Sequence, residues 1–301
     1  MCCTMLVAVA GGTGLIGRAV VKALKSQGHE VVIISRRSHI PEQRCMSWNQ
    51  LSQEGLPKGT DAVIQLAGQS ILKIPRWTEE HKKEVLNSRI DTAGMLVAAM
   101  QRAPPRVFVM ASAVGYYPSN NTEAHTEEAS PGADFPAEVC KQVEAIADQA
   151  ATHVARVVKM RIGVVLSKRG GALQQMWMPF WMGLGGRLGT GEQPFPWIHI
   201  VDLVGLYLHA LHHEGVAGPL NAVAPASTDN YAFTKALGQV LGRPTIVPVP
   251  GFALRLAMGE QSGLLLDGPK VAPAKAIATG YQFQWPELIP ALVDIRDSGE
   301  Y

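Results

Sequence analysis

Three glycines near the first apolar run are spaced so that they could cradle a phosphate. Gly11, Gly14 and Gly17 follow the run Leu6 to Ala10 and precede a segment with helical spacing. This order predicts a strand, a tight turn and a helix N-terminus, where unpaired N–H groups and the helix dipole attract an anion. Glycine is needed where a Cβ would collide with the phosphate or with the packing of helix on strand. The sequence therefore predicts a dinucleotide-binding turn.

The end of the second predicted strand carries positive charge. Val31 to Ile34 is an apolar run that ends in Ser35, Arg36 and Arg37. In a dinucleotide fold this position faces the adenosine ribose, where a carboxylate suits a 2′-hydroxyl and an arginine suits a 2′-phosphate. The arginines favour NADP(H) over NAD(H), although they could also be ordinary solvated charges at a strand end.

The elements that must position these groups alternate along the chain. Further strands are predicted at 45–48, 61–68, 106–110, 155–166, 196–200 and 221–223, and helices at 78–100 and 135–150. Such alternation indicates an α/β fold with a parallel sheet covered on both faces. Asp202 is predicted to cap the helix after 196–200, and 280–283 to form a small hairpin strand. From Gly170 the chain becomes rich in glycine and aromatic residues, which indicates a long functional loop.

Composition excludes several classes of protein. The chain has 301 residues, 47% of them hydrophobic, and a formal charge of +2, which favours a globular protein without a nucleic-acid or membrane partner. It has no apolar run near the ~20 residues of a membrane span, and a signal peptide is not expected. The four cysteines lack metal-ligand or disulfide spacing, so we expect free thiols and no metal. We expect a soluble intracellular protein, with cytosol, nucleus and mitochondrion not distinguished.

Several longer motifs carry a resemblance to a known family. They are GGTGLIG (11–17), VIQLAG (63–68), RWT (76–78) with SR (88–89), ASAVGYY (111–117), GLGGRLGTGEQPFPWIHIVDL (183–203) and GYQFQWPEL (280–288). Together they resemble the extended short-chain dehydrogenase/reductase superfamily, most closely its atypical "epimerase family" branch. The resemblance implies a Rossmann-type, doubly wound parallel sheet with a smaller C-terminal substrate lobe.

The same resemblance implies separate coenzyme-binding and substrate-binding regions in the chain. Residues 1–170, completed by about 196–224, would bind NADP(H), and 171–195 with 225–301 would form a substrate-binding loop and lobe. The substrate would be an unidentified small carbonyl or sugar-type molecule. A homodimer through the two long helices is also implied.

The coenzyme residues follow from the matched motifs. The resemblance implies that the diphosphate is bound by Gly11, Thr13, Gly14, Leu15, Ile16 and Gly17, and the 2′-phosphate by Ser35, Arg36 and Arg37. It implies that the adenosine and ribose lie along Leu66, Ala67 and Gly68. On the fourth helix it implies a coenzyme contact by Arg89, with Glu84 as a weaker candidate. Arg89 could reach the pyrophosphate or be a solvated helix arginine, but no carboxylate lies three or four residues from it to pair with it.

The catalytic pattern departs from the superfamily. Its members use a tyrosine four residues before a lysine, together with a serine or threonine at the preceding strand end. Here Lys141 is present, but Ala137 stands at the tyrosine position. Ser112 lies close to the expected serine, although the alignment could equally place Ala113 there. Ser112 and Lys141 are therefore candidates in an incomplete triad.

Other side chains could supply the missing acid or base. Tyr116, our third catalytic candidate, or Tyr117 could project from the strand end, and His199 titrates near neutrality. A histidine in an apolar strand is more often structural, and Glu138 is a weaker alternative. Two functions remain open: an NADP(H)-dependent oxidoreductase or epimerase, and a non-catalytic NADPH-binding sensor or partner protein.

Overall fold

A seven-stranded parallel sheet organises the protein. The computed structural model describes residues 4–37, 39–71, 76–119 and 123–298. These described residues form nine strands: β1 (Leu6–Ala10), β2 (Glu30–Ser35), β3 (Arg44–Ser47), β4 (Ala62–Gln65), β5 (Val107–Ala113), β6 (Arg156–Ile162), β7 (Val164–Leu166), β8 (Trp197–His199) and β9 (Gly218–Ala222). The main sheet has the order β3-β2-β1-β4-β5-β6-β9. The predicted α/β Rossmann-type fold is confirmed.

Helices cover both faces of this sheet. They are α1 (Leu15–Ser26), α2 (Trp48–Glu54), α3 (Glu79–Arg102), α4 (Phe135–Ala150), α5 (Gly171–Trp181), α6 (Ile200–His212), α7 (Asn230–Leu241), α8 (Gly251–Met258), α9 (Gly263–Leu266), α10 (Ala274–Ala278) and α11 (Leu288–Ser298). One apolar cluster joins the sheet to α1 and α6, and a second joins it to α2, α3 and α4. Alternate side chains of β1 enter opposite clusters, as expected for a strand buried on both faces.

The two long helices agree closely with the sequence prediction. Thr78 caps α3 by accepting a hydrogen bond from the His81 N–H, at 3.1 Å. Asp134 caps α4 in the same way through the Ala137 N–H, at 2.9 Å. Caps of this kind satisfy N–H groups that the helix itself leaves unpaired, so they fix where each helix begins.

The predicted strand 155–166 is wrong, because the chain divides it into β6 and β7. Gly163 stands at the division, where a Cβ would lie 2.9 Å from the Val223 side chain and still nearer the Pro196 carbonyl oxygen. The Val164 N–H donates to that same oxygen at 2.7 Å. β7 therefore leaves the main sheet and pairs with β8 in a separate two-stranded sheet.

The predicted loop at 171–195 is also wrong in its first part, since it begins with α5. Leu173 and Phe180 of this helix are buried with Trp197 in a third apolar cluster. Phe233 of α7 and Leu292 of α11 belong to the same cluster. Tertiary packing thus stabilises a helix in a glycine-rich segment whose local composition favours a loop. This third core lies outside the two sheet clusters, and the proposed domain boundaries stay a prediction.

Asp202 is not the helix cap that the sequence suggests. His199 caps α6, its Nδ1 accepting from the Val201 N–H at 3.1 Å. The Asp202 carboxylate instead accepts from the Gln284 and Trp285 N–H groups, at 2.7 and 2.8 Å. These bonds hold the tail in an irregular conformation, so the hairpin strand predicted at 280–283 is also wrong.

Two smaller observations complete the fold. Cys45 and Cys140 are free thiols, while Cys2 and Cys3 lie outside the described residues. Among the described helices, none combines the length and apolar content that crossing a bilayer requires.

Candidate coenzyme and proton-transfer site

The glycine turn is packed too tightly for side chains. Gly11 has φ +76°, and a Cβ there would lie 2.7 Å from the Leu66 carbonyl carbon and the Ala67 nitrogen. A Cβ on Gly17 would lie 2.7 Å from the Gly12 Cα and nearer still to the Gly11 carbonyl oxygen. The turn therefore lies directly against the end of β4, and only glycine permits this approach. Its backbone forms a cradle that suits a diphosphate.

The helix after this turn begins with its N–H groups available. Gly14 is the N-cap of α1, and among the described residues no side chain caps this end. The first turn, which includes Leu15, Ile16 and Gly17, contains no acidic residue. The Thr13 carbonyl accepts from Arg18 Nη1 at 3.1 Å, which fixes the entry to the helix. An anion placed here would meet both free N–H donors and the positive end of the helix dipole.

The carboxyl end of β2 lies beside the glycine turn. The Gly11 N–H donates to the Ile34 carbonyl at 3.2 Å. Ser35 Oγ donates to the Arg37 carbonyl at 2.8 Å and accepts from the Arg37 N–H at 3.1 Å. Ser35 thus shapes the turn, while Arg36 and Arg37 are exposed. Two cations therefore stand beside the phosphate cradle.

The end of β4 is shaped by one buried amide. Gln65 is buried, and its side chain accepts from the Ala67 N–H at 3.1 Å and donates to Thr92 Oγ1 at 2.7 Å. The Leu66 N–H continues the ladder to the Ala10 carbonyl at 2.9 Å. Residues 66–68 therefore have a fixed conformation against the glycine turn. Residues 11–17, 35–37 and 66–68 are hereafter the glycine-turn half of the site.

Arg89 packs over this half from α3. A Cβ on Gly68 would lie 3.1 Å from Arg89 Cγ, and Arg89 Nη1 donates to the Val85 carbonyl at 2.8 Å. Burial lowers the pKa of Arg89, which no carboxylate within the described ranges neutralises through an ion pair. Glu84 is exposed and accepts from Gln69 Nε2 at 2.9 Å. Arg89 therefore brings positive charge to the site, whereas Glu84 ties α3 to the segment after β4.

Ser112 at the end of β5 contacts a buried ion pair. Its Oγ donates to Glu144 Oε1 at 2.8 Å. Arg161 donates from Nε to Oε1 and from Nη2 to Oε2 of the same carboxylate, both at 2.8 Å. Glu144 and Arg161 are 4% and 3% exposed, so the pair is shielded from water. Burial lowers the pKa of Arg161, but bonding to Glu144 more than offsets this and raises it overall.

The network continues through Tyr117 to the C-terminal part of the chain. Arg161 Nη1 donates to the Tyr117 hydroxyl at 2.8 Å, and that hydroxyl donates to Asn221 Oδ1 at 2.7 Å. Asn221 Nδ2 donates to the Ala272 carbonyl at 2.9 Å, and its N–H donates to the Glu127 carboxylate at 3.0 Å. Burial raises the pKa of Tyr117 to about 12.

Tyr116 lies beside this network without hydrogen bonding into it. Its ring centroid is 3.5 Å from the Arg161 guanidinium carbon, and its ring meets that of Tyr117 edge-on at 5.4 Å. The side chain is half-buried, and its hydroxyl has no hydrogen-bond partner among the described residues. Residues 112–117 with Glu144 and Arg161 are hereafter the serine–tyrosine half of the site.

The position of the absent tyrosine is covered by protein. Ala137 is fully buried, and a Cβ on Gly132 would lie 3.3 Å from both the Ala137 Cβ and the Pro118 backbone. Lys141, one helical turn later, is half-exposed and pairs with Glu138 at 2.6 Å. The Lys141 ammonium lowers the pKa of the Glu138 carboxyl. The structure thus bonds Ser112 into the polar network, places Tyr116 beside that network, and gives Lys141 a separate partner on α4.

His199 has a structural position. It is fully buried, caps α6, and lies 3.3 Å from Asp294 Oδ2 through Nε2. Burial lowers its pKa to about 4, so the ring is neutral at physiological pH. A neutral capping histidine agrees with the structural interpretation of this residue.

Sequence reasoning missed the buried pair at the centre of the serine–tyrosine half. Arg161 lies in β6, which also contains Arg156 and Lys159, and Glu144 lies on the buried face of α4. Charged residues are almost never fully buried unless they are paired. The carboxylate of Glu144 among the apolar positions of α4 was the available signal, but the sequence does not show which cation of β6 pairs with it.

Comparison with known proteins shows the family to which this chain is similar. The model of the NAD dependent epimerase/dehydratase family matches residues 7–222, and a domain of unknown function, DUF1731, matches residues 249–295. The mouse (Mus musculus) epimerase family protein SDR39U1 is 45% identical over 97% of this chain and 99% of its own length. A Staphylococcus saprophyticus epimerase family protein is 40% identical over 95% of this chain and 98% of its own length.

Solved structures extend the likeness. The crystal structure of the human epimerase family protein SDR39U1 with NADPH has a TM-score of 0.90 and 41% identity, covering 97% of this chain and 99% of that one. A Thermotoga maritima UDP-glucose 4-epimerase has a TM-score of 0.79 and covers 98% of this chain and 100% of its own, but its 17% identity supports the fold alone. Coverage and identity to the nearer relatives extend across both family models, and the chain belongs to the NAD dependent epimerase/dehydratase family.

Proposed function

We propose that this chain binds NADP(H) and is an oxidoreductase or epimerase acting on a small carbonyl or sugar-type substrate. One observation carries the proposal: the glycine turn is packed against residues 66–68 so closely that a Cβ at Gly11 or Gly17 would collide with backbone. A backbone cradle with two exposed arginines beside it suits a diphosphate and a 2′-phosphate. The NADPH in the human relative's crystal supports the same coenzyme here.

Different residues of the chain would bind the coenzyme and carry out proton transfer. When bound, the coenzyme supplies hydride transfer at its nicotinamide. The first turn of α1 would hold the diphosphate, Arg36 the 2′-phosphate, and Arg89 would add positive charge near the diphosphate. Ser112, Tyr116 and Lys141 stay the predicted catalytic residues, at the neighbouring strand end and on α4.

Calorimetric titration with NADPH and with NADH tests the first part of this proposal. We expect micromolar binding of NADPH and weaker binding of NADH. Protein that binds would then be assayed by the near-ultraviolet absorbance of NADPH against a panel of carbonyl compounds and nucleotide sugars. Oxidation of NADPH by one compound would establish an enzyme, and failure to bind either coenzyme would overturn the proposal.

The second candidate is a non-catalytic protein that senses NADPH or presents it to a partner. The burial of Ala137 beneath Gly132 favours this candidate, because the covered position leaves no room for the superfamily's phenol. Tight NADPH binding, discrimination against NADP⁺ and no turnover across the panel would support it over the first.

A further inference from the structure

We infer that Tyr116 is the residue that exchanges a proton with the substrate and that Arg161 is the residue that positions it. The inference rests on the proposed function, because it names the proton-transfer group of the same site. Near the end of β5, the hydroxyl groups of Ser112 and Tyr117 already donate their protons to other side chains, whereas that of Tyr116 does not.

The proton of Ser112 is committed to Glu144. Both oxygens of that carboxylate accept from Arg161, and Oε1 also accepts from Ser112. An ionised carboxylate has no hydrogen to give, so the serine must be the donor in this contact. Ser112 can therefore accept a hydrogen bond from a substrate but cannot give its proton without breaking a buried, charge-assisted bond.

The proton of Tyr117 is committed as well. A guanidinium can only donate, so the Tyr117 oxygen accepts from Arg161 and its proton goes to Asn221 Oδ1. Tyr117 is 1% exposed, which also separates it from substrate. This tyrosine therefore anchors the network and does not exchange protons.

Tyr116 differs from its neighbour in both respects. Its hydroxyl is not engaged by any described residue, and the side chain is half-buried, so its tip can meet a ligand. It lies in the short helical turn Val114–Tyr116, which follows β5 directly, and β5 is the neighbour of β4 in the sheet. Ligands of open parallel sheets bind at this carboxyl edge of the strands. Tyr116 is thus a phenol at the edge where the missing one would act.

Arg161 gives the Tyr116 ring a fixed support. The guanidinium lies 3.5 Å from the ring centroid, within the range of a cation–π contact. It is itself held by Glu144, by the Tyr117 hydroxyl and by the Glu127 carbonyl at 3.2 Å. A planar cation held on three sides orients the ring stacked on it, and lysine cannot reproduce that plane.

The proton step balances without a further reagent. When a carbonyl carbon of the substrate receives hydride from NADPH, the Tyr116 O–H bond breaks and its proton joins the carbonyl oxygen. The product is an alcohol, and the phenolate left on Tyr116 regains a proton from water. In the opposite direction the Tyr116 phenolate takes the alcohol proton as hydride leaves for NADP⁺.

Fluorine NMR tests this assignment without a known substrate. 3-Fluorotyrosine would be placed at position 116 in one sample and at position 117 in a matched control. Each would be titrated with NADP⁺ and with 2′-phospho-ADP-ribose, which lacks the nicotinamide. We expect the resonance at 116 to move with NADP⁺ but not with the truncated ligand, and the resonance at 117 to stay unmoved by both.

Arg161→Lys tests the positioning role, since it keeps the charge but removes the planar support. We expect the nicotinamide-dependent shift at 116 to disappear while calorimetry gives unchanged affinity for 2′-phospho-ADP-ribose. If Arg161 had only a structural role, Arg161→Lys would change both the shift at 116 and the affinity for 2′-phospho-ADP-ribose, or neither of them. If circular dichroism shows that Arg161→Lys does not fold, Glu144→Gln replaces it, because the amide keeps the shape and loosens the hold on Arg161.

The outcomes separate this inference from the proposed function. Binding of NADP⁺ without a shift at 116, or an equal shift with the truncated ligand, overturns the assignment of Tyr116 and leaves coenzyme binding intact. A nicotinamide-dependent shift that persists in Arg161→Lys, or in Glu144→Gln where Arg161→Lys does not fold, overturns the role of Arg161. Absence of calorimetric binding by either ligand overturns the proposed function itself.

Discussion

The glycine-turn half and the serine–tyrosine half of the site are built from different parts of the chain. In the glycine-turn half, backbone packs on backbone. Gly11 lies against Leu66 and Ala67, Gly17 lies against the turn itself, and the first N–H groups of α1 are left for a ligand. In the second, side chains bond one another, and Ser112, Tyr117, Glu144 and Arg161 satisfy most of their capacity internally.

The two halves differ in what each requires of the chain. A phosphate cradle depends on the absence of side chains, because a Cβ would collide with the phosphate or with neighbouring backbone. A proton donor needs only a hydroxyl or acid within reach, so its position on the fold can change. Here Ala137 stands at the tyrosine position and is fully buried, with Gly132 packed beside it.

Glu144→Ala is expected to lower the free energy of unfolding strongly, because it breaks the buried pair of the serine–tyrosine half. Glu144→Ala leaves the buried Arg161 guanidinium without its carboxylate, and removing one partner of such a pair typically costs about 3–5 kcal/mol. We expect urea denaturation to show a loss of that size in the free energy of unfolding.

Glu138→Ala is the matched control for this effect. It breaks the half-exposed pair with Lys141, 2.6 Å long, and exposed pairs contribute roughly 0–1 kcal/mol. Equal losses in the two variants would show that the Glu144–Arg161 pair does not organise this half, and the contrast between the halves would fail.

Gly17→Ala tests the glycine-turn half. The new methyl group would collide with the Gly11 carbonyl oxygen, so the cradle must open and its N–H groups must separate. We expect calorimetry to show NADPH affinity reduced by about 100-fold, since a loss of ~2.7 kcal/mol is reasonable for several displaced backbone donors.

Gly94→Ala provides the comparison on a neighbouring helix. Among the described residues, no side chain and no backbone outside the adjoining turns of α3 lies within 4 Å of the Cβ that it would add. We therefore expect α3 to accept it with a small gain in stability. Unchanged NADPH affinity in Gly17→Ala would mean that the turn does not hold the coenzyme.

Arg36→Asp tests coenzyme choice within the glycine-turn half. A carboxylate would repel a 2′-phosphate but could accept from a 2′-hydroxyl, so NADPH affinity should fall by about 10- to 100-fold and NADH affinity should change little. Arg44→Asp makes the same change in charge at an exposed arginine that pairs with Glu30. Equal losses for NADPH and NADH in Arg36→Asp would remove Arg36 from the 2′-phosphate site.

The glycine turn, with the strand before it and the helix after it, could be predicted from the sequence, because its signals are local. Gly11, Gly14 and Gly17 are close in sequence, and the strand-to-helix change around them is visible as a change of period. The long helices could be predicted for the same reason, from Thr78 and from apolar spacing.

Ser112 and Tyr116 were candidates from the sequence, but the contacts of the serine–tyrosine half could not be predicted, because they join distant parts of the chain. Tyr117 and Asn221 are 104 residues apart, and the Glu127 carboxylate meets the Lys275 N–H across 148 residues. The break between β6 and β7 has the same cause, since the carbonyl that captures the Val164 N–H belongs to Pro196. Such pairings depend on tertiary packing that no local pattern records.

Arg89→Met is expected to have the smallest effect of these substitutions. Its guanidinium packs over Gly68 from α3, whereas Arg36 and Arg37 follow β2, so it should contact a part of the coenzyme that NADPH and NADH share. We expect both affinities to fall by the same factor, about 5- to 10-fold, as for loss of one charge-assisted hydrogen bond. Because methionine fills a similar volume, thermal stability should hold, and calorimetry with both coenzymes is the required measurement. A larger loss for NADPH than for NADH would place Arg89 at the 2′-phosphate with Arg36. No loss for either would make it a packing residue of α3, and the glycine-turn half would then hold its diphosphate by backbone alone.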